Sequence, residues 1–528
     1  MDRGLHLGRP GLAWRGLRYL LAFPVWGDEA FVAWNLLTRD FAGMTRPLEY
    51  SEFVPLLFMW AELGVCRAAG FSEPALRLVP FLCGAGAVLL LADFCRRTMR
   101  APAAAAAVGI FAVSYYLVRH GAEIKPYAGD AFAAALLLNL GWRVHERPSR
   151  GRWAGLLIAA PTAIWWSYPA AFVVGGLGLF LLADAWRRPW GRAWLAVAVY
   201  GLLIGASFTS MYLLYARPQR QAGEWIAHTE TWRGSFPPVL RPLELPVWLL
   251  DVHTSNLMAH PVGGKRGGST ATFLLVLAGV ASTWRRSPSM LIMLLGPAAL
   301  NFIAAAMRAY PYGTSERVSL HLAPAICWLA GEGLAAVLAF LSRRGAAGAG
   351  GPAQAAGTDG GTISPRLFGV VAGAILLIGT GGIARDILQP YKTVADRENR
   401  RVLRELTAAL RPGDRLVVFN TPDPSSPWGH PLHPYGGYGA RFRFYLTVLS
   451  PLPVEWAPDP AEVRVAEGGR VWLVAHDYDI HPLPSERFEA YASRLKAGLG
   501  GANVKAAAVE HVLDRHERIL IHCLQAGG

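Results

Sequence analysis

Long apolar runs without a single charge recur along this chain, and they constrain it more than any other feature. Ala154–Ala163, Leu195–Ser207, Ala271–Ser282 and Val370–Thr380 are examples. In water, so much apolar surface would invite aggregation. In a bilayer a helix needs only to satisfy its own backbone, which it does internally. Charged residues make up 17% of the chain, against about 25% in soluble proteins.

The net charge of +14 does not point to nucleic acid, because the arginines are grouped in short connections between apolar runs. The groups are Arg96, Arg97, Arg100; Arg143, Arg147, Arg150, Arg152; Arg187, Arg188, Arg192; Arg285, Arg286; and Arg343, Arg344. They occupy every second connection, the pattern of cytoplasmic loops. The alternate connections hold Asp28, Glu29, Glu123, Asp130 and Glu316. Cys66, Cys83, Cys95, Cys327 and Cys523 are scattered, without metal-ligand spacing or a disulfide pattern.

Candidate spans are 75–95, 102–118, 128–143, 153–167, 169–186, 194–214, 270–284, 288–307, 317–341 and 366–384. Leu17–Trp26 is apolar but short of the roughly 20 residues a crossing needs, and it lacks a cleavage site. With this partial span there are about eleven crossings. Phe53–Val65 reads as a helix lying at the interface. The expectation is a polytopic α-helical membrane domain over 1–384, in a bacterial inner membrane, with its outer connections at 27–74, 119–127, 167–169, 215–269 and 308–316. Residues 345–362 read as a flexible inner loop.

Residues 385–528 read as a separate soluble α/β domain outside the membrane. A helix is expected over Arg397–Leu410, and strands at Leu416–Phe419, Phe442–Leu446, Val471–Ala475, Ala507–Val512 and Arg518–Cys523. Gly84-Ala85-Gly86 and Gly175-Gly176-Leu177-Gly178 lie inside apolar runs, where they allow close helix approach. Gly263–Ser269 does not match phosphate-loop spacing.

Three outer clusters could carry chemistry. The first is Asp28-Glu29, with Glu52 later in the same connection. The pair suits a helix N-terminus, but also a general base or a metal ligand. The second, His120 to Asp130, brings His120, Glu123, Lys125, Tyr127 and Asp130 into one turn at a helix start; capping by Asp130 is the plainer reading. The third is Tyr310–Arg317 with His321 beyond it. Arg317 could snorkel to the interface or clamp a phosphate.

In order and spacing these residues resemble the GT-C fold, polyprenyl-phosphate-sugar-dependent membrane glycosyltransferases, a group that includes protein O-mannosyltransferases and aminoarabinose transferases of lipid A. The matching features are Asp28-Glu29, Pro47-Leu48, Glu52…Pro55, Ser72–Leu78, Glu123–Tyr127…Asp130 and Tyr310-Pro311…Arg317…Pro324. The resemblance implies sugar transfer from a polyprenyl-phosphate donor to an acceptor hydroxyl on the extracytoplasmic face, inverting the anomeric centre. It implies Asp28 as catalytic carboxylate with Glu29 supporting it. Lys125 and Arg317, then His120 and Arg77, would bind the donor phosphate, while Glu52, Glu123, Tyr127 and Asp130 would position the acceptor or a divalent metal. Metal dependence stays open. The acceptor would be a glycan, lipid or protein. The sequence departs from the pattern in its short first span, in Glu52 where relatives often have Gln, and in Val54-Pro55 where they have two prolines. Two other readings remain: a transporter or flippase of lipid-linked glycans, and a non-catalytic cell-envelope assembly protein.

Overall fold

The computed structural model describes residues 3–187, 191–222, 234–264, 267–348, 363–390, 394–420, 436–456, 469–478, 504–513 and 517–526. Most of the expected inner loop, 349–362, lies outside the described residues, as do Lys265 and Arg266 of the glycine-rich loop.

The apolar runs fold as helices at Leu78–Thr98, Ala101–Ala112, Tyr127–Glu146, Arg150–Trp166, Ala170–Trp186, Arg192–Met211, Gly268–Arg286, Pro288–Ala306, Ala323–Gly348 and Pro365–Leu388. Among the described residues, five helical stretches are long and apolar enough to cross a membrane. The expected span 102–118 is divided, because the helix stops at Ala112 and a second begins at Tyr115. Phe53–Val65 corresponds to the helix Leu56–Ala69, capped by Pro55 and closed by Gly70 at φ +83°.

Of the short first segment Leu17–Trp26, only Leu17–Leu20 is helical, as the end of an 18-residue helix, Arg3–Leu20, that is too polar to read as a span. Two of its arginines, Arg15 and Arg18, are nevertheless buried. Arg15 Nη1 donates to the carbonyls of Gly11 (3.1 Å) and Ala112 (2.8 Å), and Arg18 pairs with Asp386 on the last apolar helix at 2.8 Å. Buried guanidinium groups need such partners, so these contacts tie the ends of the helical domain together.

Gly176 illustrates how the helices pack. A Cβ there would collide with the backbone of Gly296 and Pro297, so helices 170–186 and 288–306 touch at their backbones. At the end of the helices remote from Asp28, Asp93 gathers Arg96, Arg97, Arg143 and Asn139 at 2.5–3.0 Å.

The C-terminal residues form one five-stranded sheet of β1 (Arg415–Asn420), β2 (Val454–Trp456), β3 (Arg470–Tyr478), β4 (Val504–Val512) and β5 (Glu517–Ala526). The order is β2-β1-β3-β5-β4. β1 runs parallel to β2 and β3, while β5 runs antiparallel to β3 and β4. Leu416, Val418, Leu473 and Val474 are buried.

One expectation fails here. Phe442–Leu446 is not a strand but part of the helix Gly436–Leu449. Ala440, Phe442, Phe444, Tyr445 and Leu446 are all buried, because this helix is enclosed between the sheet and the helical domain. With apolar residues on both sides, its helical period is hidden. Phe442 stacks on His476 of β3 at 4.4 Å, and Arg441 pairs with Asp396 of helix Val394–Ala409.

Candidate functional site

The first outer cluster begins the helix Gly27–Thr38. Asp28 and Glu29 lie in its first turn, where carboxylates oppose the positive end of the helix dipole. Their environments differ. Glu29 is fully buried, whereas the Asp28 side chain keeps 25% of its exposure.

Glu29 is the hub that brings separate stretches of chain together. Both its oxygens accept from Arg77, Oε1 from Nε at 2.9 Å and Oε2 from Nη2 at 2.8 Å. Oε1 also accepts from the Ile124 amide at 3.0 Å, and Oε2 from the Trp26 amide at 3.3 Å. Arg77 donates further to the carbonyls of Phe23 and Pro24. The 121–126 turn is thereby held against helix Gly27–Thr38, and Lys125 follows Ile124 directly.

Lys125 Nζ then lies 3.2 Å from Asp28 Oδ1 and 2.7 and 2.9 Å from the two Glu52 oxygens. Arg317 Nη1 stands 3.2 Å from Asp28 Oδ2. Two carboxylates and two cations from four separated stretches therefore form one chain, Glu52–Lys125–Asp28–Arg317. Burial opposes the charge on Lys125, but Asp28 and Glu52 outweigh it and hold the ammonium above the ordinary lysine value. Burial pushes Glu52 up to about 7, with Asp28 adding to the rise and Lys125 and Arg317 opposing it.

Arg317 opens a 3-10 turn, Arg317–Leu322, after the Tyr310–Glu316 connection. That connection is fastened to residues 235–257. Tyr312 N donates to the Ser235 carbonyl, and Asn256 Nδ2 to the Thr314 carbonyl. Gly313, at φ +70°, leaves no room for a side chain beside Val252 and Leu257.

The remaining candidates stand around this chain. His120 Nδ1 and Glu123 Oε2 are 2.8 Å apart, and Glu123 Oε1 accepts from Arg119 at 2.9 Å. Tyr127 meets the His120 ring edge-on at 5.1 Å. Asp130 is buried and accepts from Ser167 at 2.6 Å. His321 packs against Phe172 and Tyr310. The structure thus brings Asp28, Glu52, Lys125 and Arg317 into direct contact, whereas Glu123 and Asp130 each engage other partners. Among the described residues no group of three or more His, Cys, Asp or Glu converges as a metal would require. With Asp28 and Glu52 already paired to Lys125 and Arg317, this donor set does not fit a resident divalent ion.

Four residues after Glu52 in sequence, at Leu56, a groove of 490 Å³ opens between the helices 56–69 and 150–166, lined by Leu56, Leu57, Trp60, Pro161 and Trp165 with Ser207 from helix Arg192–Met211. It is an open groove, apolar apart from Thr162 and Ser207. On the other side the C-terminal domain closes over the first connection. Tyr445 OH accepts from the Val25 amide at 2.6 Å and meets Glu73 at 3.2 Å. Arg400 donates to Glu73 at 2.9 Å and to the Ala22 carbonyl at 3.1 Å. Sequence patterns gave no signal for Tyr445 or Arg400, since their partners lie hundreds of positions away.

Residues 54–212 match the family described as dolichyl-phosphate-mannose-protein mannosyltransferase, less than a third of the chain. A search of curated proteins finds no match. Among solved structures, ArnT from Cupriavidus metallidurans in its apo state is similar over 97% of both chains, with a TM-score of 0.53 and 14% identity. ArnT bound to undecaprenyl phosphate matches equally well. The oligosaccharyltransferase of Archaeoglobus fulgidus is more distant, at a TM-score of 0.44 and 13% identity, over 96% of this chain and 69% of that one. The fold expected from the sequence, GT-C with a C-terminal sheet domain, is the fold this chain has, and it is a multi-pass membrane protein.

Proposed function

We propose that this chain transfers a sugar from a polyprenyl-phosphate donor to an acceptor hydroxyl on the extracytoplasmic face of a bacterial inner membrane. The observation that carries this reading is Asp28 held between Lys125 and Arg317 at 3.2 Å on each side. That is a carboxylate base beside two cations suited to a phosphate. The match of residues 54–212 to mannosyltransferases and the fold shared with a protein seen bound to undecaprenyl phosphate support the same chemistry.

In this reading the phosphodiester of the donor takes the two cations and the polyprenyl chain enters the groove past Leu56 and Trp60. Asp28, released from its ion pairs, accepts the proton of the acceptor hydroxyl. The acceptor oxygen forms a bond to the anomeric carbon as the bond from that carbon to the phosphate oxygen breaks. Attack from the face opposite the phosphate inverts the centre. The leaving polyprenyl phosphate gains a second negative charge, which Lys125 and Arg317 stabilise.

Charge balance gives Glu52 a part. Lys125, Arg317 and ionised Asp28 together carry one net positive charge, matching one phosphodiester when Glu52 is protonated. Glu29 and Arg77 place Asp28 rather than touch the donor, and His120, Glu123, Tyr127 and Asp130 shape the wall beside it.

The test is release of polyprenyl phosphate by the purified chain in proteoliposomes supplied with polyprenyl-phosphate sugars and cell-envelope acceptors. Asp28→Asn should stop release while the protein stays inserted. Wild-type turnover in that variant removes the base assignment. Donor movement between leaflets without sugar transfer would favour the flippase, and donor binding without turnover the assembly protein.

A further inference from the structure

Besides Tyr445 and Arg400, a further residue of the C-terminal domain, Arg443, reaches the 27–74 connection. Arg443, on helix Gly436–Leu449, places its guanidinium 4.2 Å from the Trp34 ring centroid and 4.8 Å from that of Trp456. It also donates to Tyr50 OH at 3.5 Å. Trp34 lies on the helix that Asp28 begins, and Tyr50 precedes Glu52 by two residues. The guanidinium therefore bridges the two chain segments that supply the two carboxylates of the site.

Those segments are already latched to each other on the same side. Trp34 Nε1 donates to Glu49 Oε2 at 2.9 Å. Asn35 donates to the Glu49 carbonyl at 3.2 Å and accepts from its amide at 2.9 Å. Phe31 stacks on Tyr50 at 5.0 Å. Tyr50 itself sits at φ +60°, a conformation costly for a bulky residue that persists only where its surroundings enforce it. Arg443 and Phe31 are two of those surroundings. A planar guanidinium can stack flat on Trp34 while its forked donors hydrogen-bond Tyr50, a geometry that a lysine's point charge does not reproduce.

We infer that Arg443 is a positioning residue: acting through Trp34 and Tyr50, it fixes the spacing of Asp28 and Glu52, so that docking of the C-terminal domain sets the turnover rate. This rests on the glycosyl-transfer reading for its kinetic consequence, though not for the clamp itself. The contact makes the C-terminal domain part of the catalytic machinery instead of an appended module.

The experiment uses the full chain in proteoliposomes, with Arg443→Ala, Trp34→Ala, the double variant, and Arg401→Ala as control. Arg401 is exposed and, among the described residues, pairs along its own helix with Glu398 and Glu405, so its variant should match wild type. Arg443→Ala should lower kcat by about tenfold or more, as a displaced catalytic group does, with the donor KM changed less than about threefold. The double variant should be no worse than the more impaired single one, because the two side chains act as a unit. Hydrogen exchange should quicken over residues 27–52 while 470–478 stays protected. Unchanged kcat and exchange in Arg443→Ala would overturn the inference, as would strictly additive losses or loss of protection in the sheet itself. If the wild type turns over no lipid-linked sugar, the glycosyl-transfer reading fails, and the exchange over 27–52 decides the clamp alone.

Discussion

Lys125 Nζ lies 3.2 Å from Asp28 Oδ1, so the base and the phosphate site of the proposed reaction share one cation. Arg317 Nη1 lies 3.2 Å from the other Asp28 oxygen, so both oxygens are engaged by cations. Those oxygens are freed for the acceptor hydroxyl when the donor phosphate draws the cations away, so donor should bind before acceptor. Asp28→Asn should cost about 10²- to 10⁴-fold in kcat without weakening donor binding. Single-turnover kinetics together with a donor-binding titration check both halves, and weakened donor binding in the variant would argue against the shared cation.

Glu52 predicts a pH dependence. Its pKa is raised by burial to about 7, so the folded site holds a proton that an exposed glutamate would release at lower pH. Below 7, Glu52 is neutral and Lys125 is available to the phosphodiester, which stays ionised throughout. As pH rises through about 7, Glu52 ionises and competes for Lys125. Donor KM should therefore rise between pH 6 and 8, roughly the interval over which such a group titrates. Glu52→Gln should flatten the profile. A KM independent of pH in the wild type would remove Glu52 from donor handling. The same proton enters stability: the folded site binds it more tightly than the unfolded chain, so the contribution is complete below the ordinary glutamate pKa and fades as pH climbs through 7.

Glu29 and Arg77 predict a stability effect of a different size. Both are buried, and removing one leaves the other charged without its partner. Glu29→Ala should destabilise the protein by about 3–5 kcal/mol, seen as a lower unfolding temperature in detergent. Exchange over 121–126 should quicken as well, since the Ile124 amide loses its acceptor. An unchanged melting profile would show that this pair does not hold the connections together.

Gly176 predicts a packing defect remote from the chemistry. Gly176→Val would force helices 170–186 and 288–306 apart, since a Cβ already meets Gly296 and Pro297. Overpacking of this kind costs about 1–3 kcal/mol. Thermal unfolding of the variant, against Gly155→Val as a control whose Cβ meets nothing, measures it. Equal melting temperatures would contradict the close approach.

By itself the sequence determined the class of structure. Charge-free runs require helices in a bilayer, because only a helix satisfies a backbone there without water. Most expected spans coincide with helices, and Leu416–Phe419, Val471–Ala475, Ala507–Val512 and Arg518–Cys523 all fall within strands. These features are local: apolar period, breakers and run length are written within a dozen residues. Phe442–Leu446 escaped because a helix buried on both faces shows no period. The short first segment hid the polar helix Arg3–Leu20, whose buried Arg15 and Arg18 reach partners on distant elements.

The sequence also supplied the cast of the site, since Asp28, Glu52, Lys125 and Arg317 stood out by residue type in the outer connections. Only the tertiary structure decided who meets whom. It gave Glu29 and Arg77 to each other, Glu123 to Arg119 and His120, and Asp130 to Ser167. It left Asp28 between two cations, and it brought Arg443 onto Trp34. Ion pairing depends on distances of a few ångströms between chain segments far apart in order, and such distances are set by the packing of every helix between them.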